Sequence, residues 1–169
     1  MRFIPALACL ATSMASAALP ATTDTHPFGV RDLVAFDRLA EPRVSPNGRQ
    51  IVFTVSSLDL EANKRRSDLW VVGTDGAGLR PLLRSDDSES NGTWSPDGRS
   101  IYFLSNRGGS SQVWKVSLDG GDAQSVTSLP LDVGSFRLSH DGTRLALAME
   151  VYPGATPGET RKRMDDDAA

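Results

Sequence analysis

Residues 93–104 read Thr93-Trp94-Ser95-Pro96-Asp97-Gly98-Arg99-Ser100-Ile101-Tyr102-Phe103-Leu104, and two other segments copy this stretch. Residues 43–54 read Arg-Val-Ser-Pro-Asn-Gly-Arg-Gln-Ile-Val-Phe-Thr, and residues 137–148 read Arg-Leu-Ser-His-Asp-Gly-Thr-Arg-Leu-Ala-Leu-Ala. Proline presets φ at a turn, Asp or Asn bonds its own backbone, and glycine adopts the left-handed conformation that leads into the next strand. Each copy therefore predicts a β-hairpin corner.

A second pair of similar segments supports the repeat. Trp70 and Trp114 lie 44 residues apart in similar nine-residue segments, 68–76 and 112–120, which both end in Asp-Gly. The turn glycines lie 50 and then 44 residues apart, and the six extra residues all fall in the polar segment 56–67, which we predict to be a loop insertion. Several strands repeated with a period in the mid-forties are typical of β-propeller blades. Chance similarity, or a generic β-sandwich, is the competing interpretation.

The predicted fold is an all-β, incomplete β-propeller with two full blades and the start of a third, preceded by a signal peptide and a short helix. The strands expected in blade one are 43–45, 50–55, 69–73 and 80–83. Those of blade two are 92–94, 100–105, 113–117 and 123–127. Blade three shows only 135–139 and 144–150, and no third tryptophan-containing strand follows.

Four segments make up the predicted domain organisation. Residues 1–17 resemble an export signal, with Arg2, an apolar run and the small residues of 15–17, so we expect cleavage after Ala17. Residues 18–40 form a lead-in in which 29–39 are predicted to be a short amphipathic helix, with a plain loop as the alternative. Residues 41–151 form the partial propeller. Residues 152–169 are a polar tail without a strand pattern.

The apolar run of the signal is too short to be a permanent membrane anchor, so we expect none. Cys9 is the only cysteine and would leave with the signal, and the mature chain would then have no disulfide or thiol nucleophile. Acylation of Cys9, as in a lipoprotein, is the alternative. The net charge of −3, with both signs interspersed, predicts no nucleic-acid binding.

Motifs for catalysis are missing from the sequence. It has no Gly-x-Ser-x-Gly turn, no His-Glu-x-x-His and no phosphate-binding glycine loop. Of its two histidines, His26 lies in the lead-in and His140 takes the turn position that proline holds in the other copies, which favours a structural role. We therefore nominate no catalytic, cofactor-binding or metal-binding residue and expect no cofactor.

Other conspicuous residues have structural explanations. The sequence has three tryptophans, Trp70, Trp94 and Trp114. Trp70 and Trp114 recur at one repeat position, and this favours packing between blades over ligand stacking. Asn47, Asp97 and Asp141 are interpreted as turn formers and not as metal ligands. The sequon that begins at Asn91 lies at a predicted strand start, so we treat it as coincidental unless the host glycosylates.

The repeat residues, with Phe28-Gly29-Val30-Arg31-Asp32-Leu33 and residues 42–48, resemble the start of an exported bacterial peptidase of the prolyl oligopeptidase family, of the dipeptidyl or acylaminoacyl peptidase type. The resemblance covers roughly residues 28–151. The Ser-Pro-Asp-Gly hairpin is also similar to TolB and other periplasmic propellers. The family resemblance implies a propeller that caps an α/β-hydrolase domain with a Ser-Asp-His triad, and no residue here matches that triad. Nor does any match a substrate amine-binding glutamate motif, so Glu150 is not nominated.

Three hypotheses follow. The leading one is a non-catalytic N-terminal propeller fragment of such a peptidase, the intact family member hydrolysing peptides, with a catalytic domain or a peptide as its partner. The second is a stand-alone, TolB-like periplasmic module that binds proteins. The third is a small blade protein that oligomerises to close a ring. For the leading hypothesis, we expect the apolar residues Leu145, Leu147 and Met149 on one side of the third blade, and Ala146 and Ala148 on the other, to lack a neighbouring sheet and to promote self-association. A compact monomer would instead favour the second hypothesis.

Overall fold

The fold is a row of three antiparallel sheets, as seen in a computed structural model that describes residues 27–83 and 85–168. The predicted signal, the cleavage position at Ala17, Cys9 and His26 lie outside the described residues. Blade 1 follows helix α1 (Val30–Ala35) and consists of β1 (Arg38–Val44), β2 (Gln50–Asp59), β3 (Lys64–Gly73) and β4 (Arg80–Pro81). Blade 2 consists of β5 (Glu89–Trp94), β6 (Ser100–Ser105), β7 (Gln112–Ser117) and β8 (Gln124–Ser125). Blade 3 has β9 (Ser135–Leu138) and β10 (Leu145–Ala148), and helix α2 (Pro157–Asp167) follows.

Each full blade is a four-stranded antiparallel meander, β1-β2-β3-β4 and β5-β6-β7-β8, and the third is the hairpin β9-β10. The first strands of successive blades contact one another, β1 with β5 and β5 with β9. The blades therefore converge at their first strands, which form the inner side of the row. This architecture confirms the predicted incomplete propeller.

The repeated corners have the predicted turn chemistry. At the second corner, the Ser95 hydroxyl donates to Asp97 Oδ1 at 2.5 Å, and the Arg99 amide donates to the same oxygen at 3.0 Å. Gly98 has a φ of 68°, in the left-handed region that favours glycine. Ser139 and the Thr143 amide bond Asp141 in the same way and lower the pKa of that carboxyl to about 2.

Each blade has two faces, which we name A and B. Face A comprises Ile51, Phe53 and Trp70 in blade 1, Ile101, Phe103 and Trp114 in blade 2, and Leu145 and Leu147 in blade 3. Face B comprises Val52, Leu69 and Val71 in blade 1, Tyr102, Leu104 and Val113 in blade 2, and Ala146 and Ala148 in blade 3. The core lies where face B of one blade meets face A of the next.

Two buried clusters result from this head-to-tail stacking. The first joins Val52, Leu69 and Val71 to Ile101 and Phe103. The second joins face B of blade 2 to Phe136, with Leu145, Leu147 and Met149 packed against it. The expectation that these three side chains lack a neighbouring sheet was therefore wrong, because face A of blade 3 is covered by blade 2. Ala146 and Ala148, on the opposite face, are exposed.

The segment 56–67 is not a loop, which corrects the prediction. Four further cross-strand pairs, from Ser56↔Ser67 to Asp59↔Lys64, extend the β2–β3 hairpin beyond its counterpart in blade 2. The hydroxyls of Ser56 and Ser67 lie 2.7 Å apart across this extension. Polar composition suggested a loop, but a hairpin ladder is stabilised by its backbone bonds and needs no apolar face when it projects into solvent.

Helix boundaries also differ from the predictions. Helix α1 covers 30–35 and not 29–39, because the chain enters β1 at Arg38. Helix α2 lies in the segment predicted only as a polar tail. Thr156 caps it, accepting the Glu159 amide through Oγ1, while the Glu159 carboxylate accepts the Thr156 amide at 2.8 Å.

Candidate functional surface on the inner strands

The inner side of the row carries a polar network that joins blade 1 to blade 2. Glu41 Oε2 accepts a hydrogen bond from the backbone amide of Asn91 at 2.8 Å and another from the Thr54 hydroxyl at 3.3 Å. The Arg43 guanidinium donates to Asn91 Oδ1 at 3.4 Å, and Trp94 Nε1 donates to the Arg43 carbonyl at 2.8 Å. Charged groups of both signs therefore line the inner strands at this junction.

The same network sits on two equivalent β-bulges. The β1–β2 register shifts between Ala40 and Arg43, and the β5–β6 register shifts between Ser90 and Thr93. Glu41 and Asn91, one in each bulge, have φ values of 54° and 56°. Non-glycine residues rarely adopt this conformation, and bulges often re-aim side chains beside binding sites. Unusual backbone and charged side chains thus coincide on the inner strands.

A buried ion pair stands at the other end of the blade 1–blade 2 junction. Glu89, only 1 % exposed, accepts from Arg107 Nη2 at 2.7 Å and from the Ser85 hydroxyl at 2.7 Å. The Arg107 guanidinium lies 5.4 Å from the centroid of the Phe103 ring and 5.3 Å from that of Trp114. Because Ser85 lies in the linker between β4 and β5, its bond to Glu89 holds this linker against face A of blade 2.

Burial raises the pKa of Glu89 above its ordinary value, because a carboxylate loses hydration there. The Ser85 hydrogen bond and the Arg107 charge oppose this effect. A carboxyl with a raised pKa is a frequent feature of active sites, but structural ion pairs produce it as well. No nucleophile bonded to a histidine accompanies Glu89 within the described residues, so we assign it a structural role.

A cleft of about 540 Å³ opens beside Trp70 on face A of blade 1. Its lining residues are Arg66, Asp68, Trp70, Pro81, Leu83, Ser85 and Asp86. Arg66 donates to Asp68 Oδ1 at 2.9 Å and also bonds the Ser85 carbonyl, which ties the linker to β3. The cleft therefore combines an aromatic wall with paired charges.

The tryptophans, predicted to pack between blades, have three different environments. Trp94 is buried in the first cluster, and Trp114 packs against that cluster under Arg107. Trp70 is half-buried and lines the open cleft, because no other described sheet covers face A of blade 1. Trp94 and Trp114 thus pack between blades as predicted, whereas Trp70 lies at a surface.

The remaining conspicuous residues lie apart from one another. His140 is exposed at the third corner, while Asp97 and Asp141 bond their own turns. Asn91 is only 7 % exposed and bonded to Arg43, so the folded chain hides the sequon. Glu150 is exposed near α2, beside a cavity that Arg161 also lines.

The part of the chain that the structure describes holds no group of three or more His, Cys, Asp or Glu side chains placed to bind a metal ion. Among the described helices, none is long and apolar enough to cross a bilayer. Sequence reasoning missed Glu41, Arg43, Glu89 and Arg107. The repeat offers a signal for the first, because Glu41 and Asn91 stand 50 residues apart, the same spacing as Gly48 and Gly98.

Residues 31–152 match the family described as the TolB beta propeller domain, PD40. The peptidase YuxL of Bacillus subtilis is 26 % identical over 136 residues, 80 % of this chain and 21 % of that protein. Dipeptidyl-peptidase 5 of Porphyromonas endodontalis is 29 % identical over 134 residues, 79 % of this chain and 19 % of that protein. The chain thus spans about a fifth of the length of these curated relatives.

The Tol-Pal system protein TolB of Anaeromyxobacter dehalogenans is 45 % identical over 92 residues, 54 % of this chain and 20 % of that protein. Among solved structures, the acylaminoacyl peptidase of Pyrococcus horikoshii superposes with a TM-score of 0.56 and 23 % identity. That match covers 68 % of this chain and 17 % of the peptidase, and it supports the fold. The predicted similarity to peptidase propellers is confirmed.

Proposed function

Because this chain belongs to the TolB β-propeller domain family, we propose that it is the non-catalytic N-terminal propeller segment of an exported serine peptidase of the prolyl oligopeptidase family. One observation carries the proposal. Two relatives named as peptidases match about four-fifths of this chain but only about a fifth of their own length. This coverage supports the interpretation of the chain as one part of a longer peptidase.

The described residues fit a non-catalytic role. Acyl transfer by a serine peptidase needs a nucleophile in hydrogen-bond reach of a base that a carboxylate orients. His140 is exposed on a corner, and the hydroxyl beside it, Ser139, donates to Asp141 instead. The propeller would serve the peptidase by shaping access to a catalytic domain, with the charged inner strands facing the path of a peptide.

Reading the coding DNA downstream of residue 169 tests this proposal. We expect a frame, continuous or displaced by a frameshift, that encodes further blades and a Gly-x-Ser-x-Gly turn. A downstream region without either would contradict it. Co-expression of that downstream segment with this chain should then restore hydrolysis of a dipeptidyl or acylaminoacyl substrate, whereas each part alone should be inactive.

A stand-alone TolB-like interaction module is the second candidate. The 45 % identity to TolB over 92 residues, 54 % of this chain, supports it. Under this candidate the chain binds a protein partner and needs no catalytic domain. Affinity capture by the purified chain separates the two: a co-purifying hydrolase domain favours the first candidate, and a non-hydrolase partner the second.

Export is part of the proposal in both cases. The small residues at 15 and 17 fit the cleavage pattern of a signal peptidase, so the N-terminus of exported material should be Ala18. Mass spectrometry of the intact protein from a periplasmic extract measures this directly. A lipid-modified Cys9 would contradict cleavage after Ala17 and favour the lipoprotein alternative.

A further inference from the structure

A groove of about 440 Å³ lies on the outer side of the row, between blade 1 and blade 2. One wall is formed by β4 and the linker that follows it, and the other by the turn between β7 and β8 together with Arg107. Both blades are complete four-stranded sheets, so the groove involves neither of the faces at the ends of the row. Its volume lies in the range of roughly 300–1,000 Å³ that is typical of ligand-binding clefts.

Part of the lining of this groove is apolar. Leu82, Leu83 and Ala123 line it and are half-buried, because they also pack against the first buried cluster. Side chains that are already held by the core lose little freedom when a ligand binds. An apolar group that enters the groove therefore meets a preformed surface.

Arg107 gives the groove open hydrogen-bond donors. Its Nε donates to Ser105 at 3.2 Å and its Nη2 donates to Glu89 at 2.7 Å, whereas Nη1 has no acceptor among the described residues. The Arg107 side chain is 15 % exposed, but that of Glu89 is 1 % exposed and lies beyond the reach of a ligand. A ligand in the groove thus meets the unbonded edge of a guanidinium that is fixed in place.

A second guanidinium, that of Arg80, lines the same groove and is exposed. Its hydrogen bond within the described chain is to the neighbouring Pro81 carbonyl, at 3.4 Å. Asp122 carries the one carboxylate among the described residues that line the groove. Two guanidiniums against one carboxylate favour an acidic ligand, and a guanidinium binds a carboxylate through two parallel N–H bonds.

We propose that this groove binds an extended segment of a partner protein in which an acidic side chain stands between apolar ones. The carboxylate accepts hydrogen bonds from the two arginines, and the apolar neighbours pack on the half-buried lining. Recognition rests on side chains, because β4 has two residues and Pro81 has no N–H to offer an added strand. The proposal does not depend on the proposed function.

An NMR titration of the isotope-labelled 169-residue chain locates the binding. The probe is the peptide acetyl-Ala-Leu-Glu-Leu-Ala-amide, whose glutamate is its only charged group. We expect the indole N–H signal of Trp114 to shift, because the Arg107 guanidinium lies 5.3 Å from the centroid of this ring. The indole signal of Trp94, which donates to the Arg43 carbonyl on the inner strands, should not move. The same peptide with glutamine in place of glutamate should bind about tenfold more weakly.

Exposed residues provide variants that should keep the fold. Arg80→Gln should raise the dissociation constant of the glutamate peptide about fivefold, because one guanidinium is lost. Asp122→Asn should lower it about threefold, because the repulsion between two carboxylates is removed. Arg137→Gln, the same change as in the first variant but at an exposed position of β9, should leave it unchanged. Far-UV circular dichroism of every variant checks that it is folded.

Three results would overturn the proposal. They are an unmoved Trp114 signal at about 5 mM peptide, equal affinity for the glutamate and glutamine peptides, and equal affinity of the wild type and the Arg80→Gln variant. Tighter binding of the glutamine peptide when its C-terminus is left uncapped would assign the groove to a terminal carboxylate, and it would contradict recognition of an acidic side chain.

Discussion

Two glutamates of this chain occupy opposite electrostatic environments. Burial raises the pKa of Glu89, whereas hydrogen bonds from the Thr156 amide and hydroxyl lower the pKa of Glu159 at the exposed start of α2. A raised pKa means that the folded state prefers the protonated form, and a lowered pKa means the reverse. The two residues should therefore influence the pH dependence of stability with opposite signs.

Glu89→Gln should reveal how the raised pKa of Glu89 changes the stability of the fold with pH. The contribution of Glu89 is fully present below its ordinary pKa of 4.5 and is lost as pH rises through the higher pKa of the folded state. The free energy of unfolding of the wild type, relative to the variant, should thus fall as pH rises from about 4 to 7. The variant should be less stable overall by about 1–3 kcal/mol, since it leaves Arg107 without its carboxylate. Urea titrations across this pH range measure both effects.

Glu159→Gln is the matched control. Its carboxylate stabilises the fold above pH 4.5, and this contribution is lost as pH falls through the lower folded pKa. The difference between wild type and variant should therefore grow as pH rises to 4.5 and stay level above it, where the Glu89 difference falls. Equal pH trends for the two substitutions would show that burial does not set the pKa of Glu89.

Gly98→Ala tests the corner that defines the repeat. The φ of 68° at this position costs an L-residue about 1–2 kcal/mol, whereas the added methyl itself would lie at an ordinary contact distance of 3.5 Å from Pro46 Cδ. We expect the free energy of unfolding, measured by urea titration, to fall by that amount. Gly158→Ala, in a helical position with no atom within 4 Å of the new methyl, should be neutral or stabilising by up to about 1 kcal/mol. A similar loss in both variants would argue against the turn conformation.

At the scale of the element, local capping decides where secondary structure forms in polar segments. The C-terminal segment combines prolines, glycines, a basic cluster and an acidic run, yet it forms α2 behind the Thr156–Glu159 capping box. Arg161 then pairs with Asp165 one turn later, at 2.7 Å. Likewise, the polar residues of 56–67 extend a hairpin because its ladder is already started by the apolar pairs beneath it.

Thr156→Ala should loosen α2. The substitution removes the side chain that accepts the Glu159 amide, at a cost of about 1 kcal/mol to the helix. Limited trypsin digestion provides the readout, because Arg161, Lys162 and Arg163 lie within α2 and are cut faster when it opens. Thr156→Ser keeps the hydroxyl and should be digested at the wild-type rate. Equal rates for the alanine variant and the wild type would show that the cap does not hold the helix.

At the scale of the whole molecule, blades stacked in one direction leave two unlike faces at the ends of the row. Ile51 and Phe53 mark one end, and Ala146 and Ala148 mark the other. Since each buried cluster needs both kinds of face, a row of blades is stabilised further only by another blade at an end. This asymmetry underlies the proposed peptidase propeller, in which further blades would cover both ends.

The purified chain should hydrolyse no peptide substrate by itself. In the described part of the chain, the serine beside a histidine, Ser139, donates its hydroxyl to Asp141 and not to the His140 imidazole, so that serine lacks the base that acyl transfer needs. Dipeptidyl and acylaminoacyl chromogenic substrates, with a fluorophosphonate probe for reactive serines, measure this. Activity that a serine-directed inhibitor abolishes, in material shown to be free of host peptidases, would contradict the expectation.

The sequence by itself determined the blade repeat, the corners and the all-β fold, because turn chemistry and the alternation of side chains are local properties of a strand and its neighbours. It also indicated the similarity to peptidase propellers. It did not reveal the extended hairpin or α2, where polar composition conceals backbone pairing and capping. Only the tertiary structure decided which faces are covered, and it alone brought Glu41 to Asn91 and Glu89 to Arg107. Those contacts join different strands and turns, and their geometry depends on how blades stack, which no local pattern encodes.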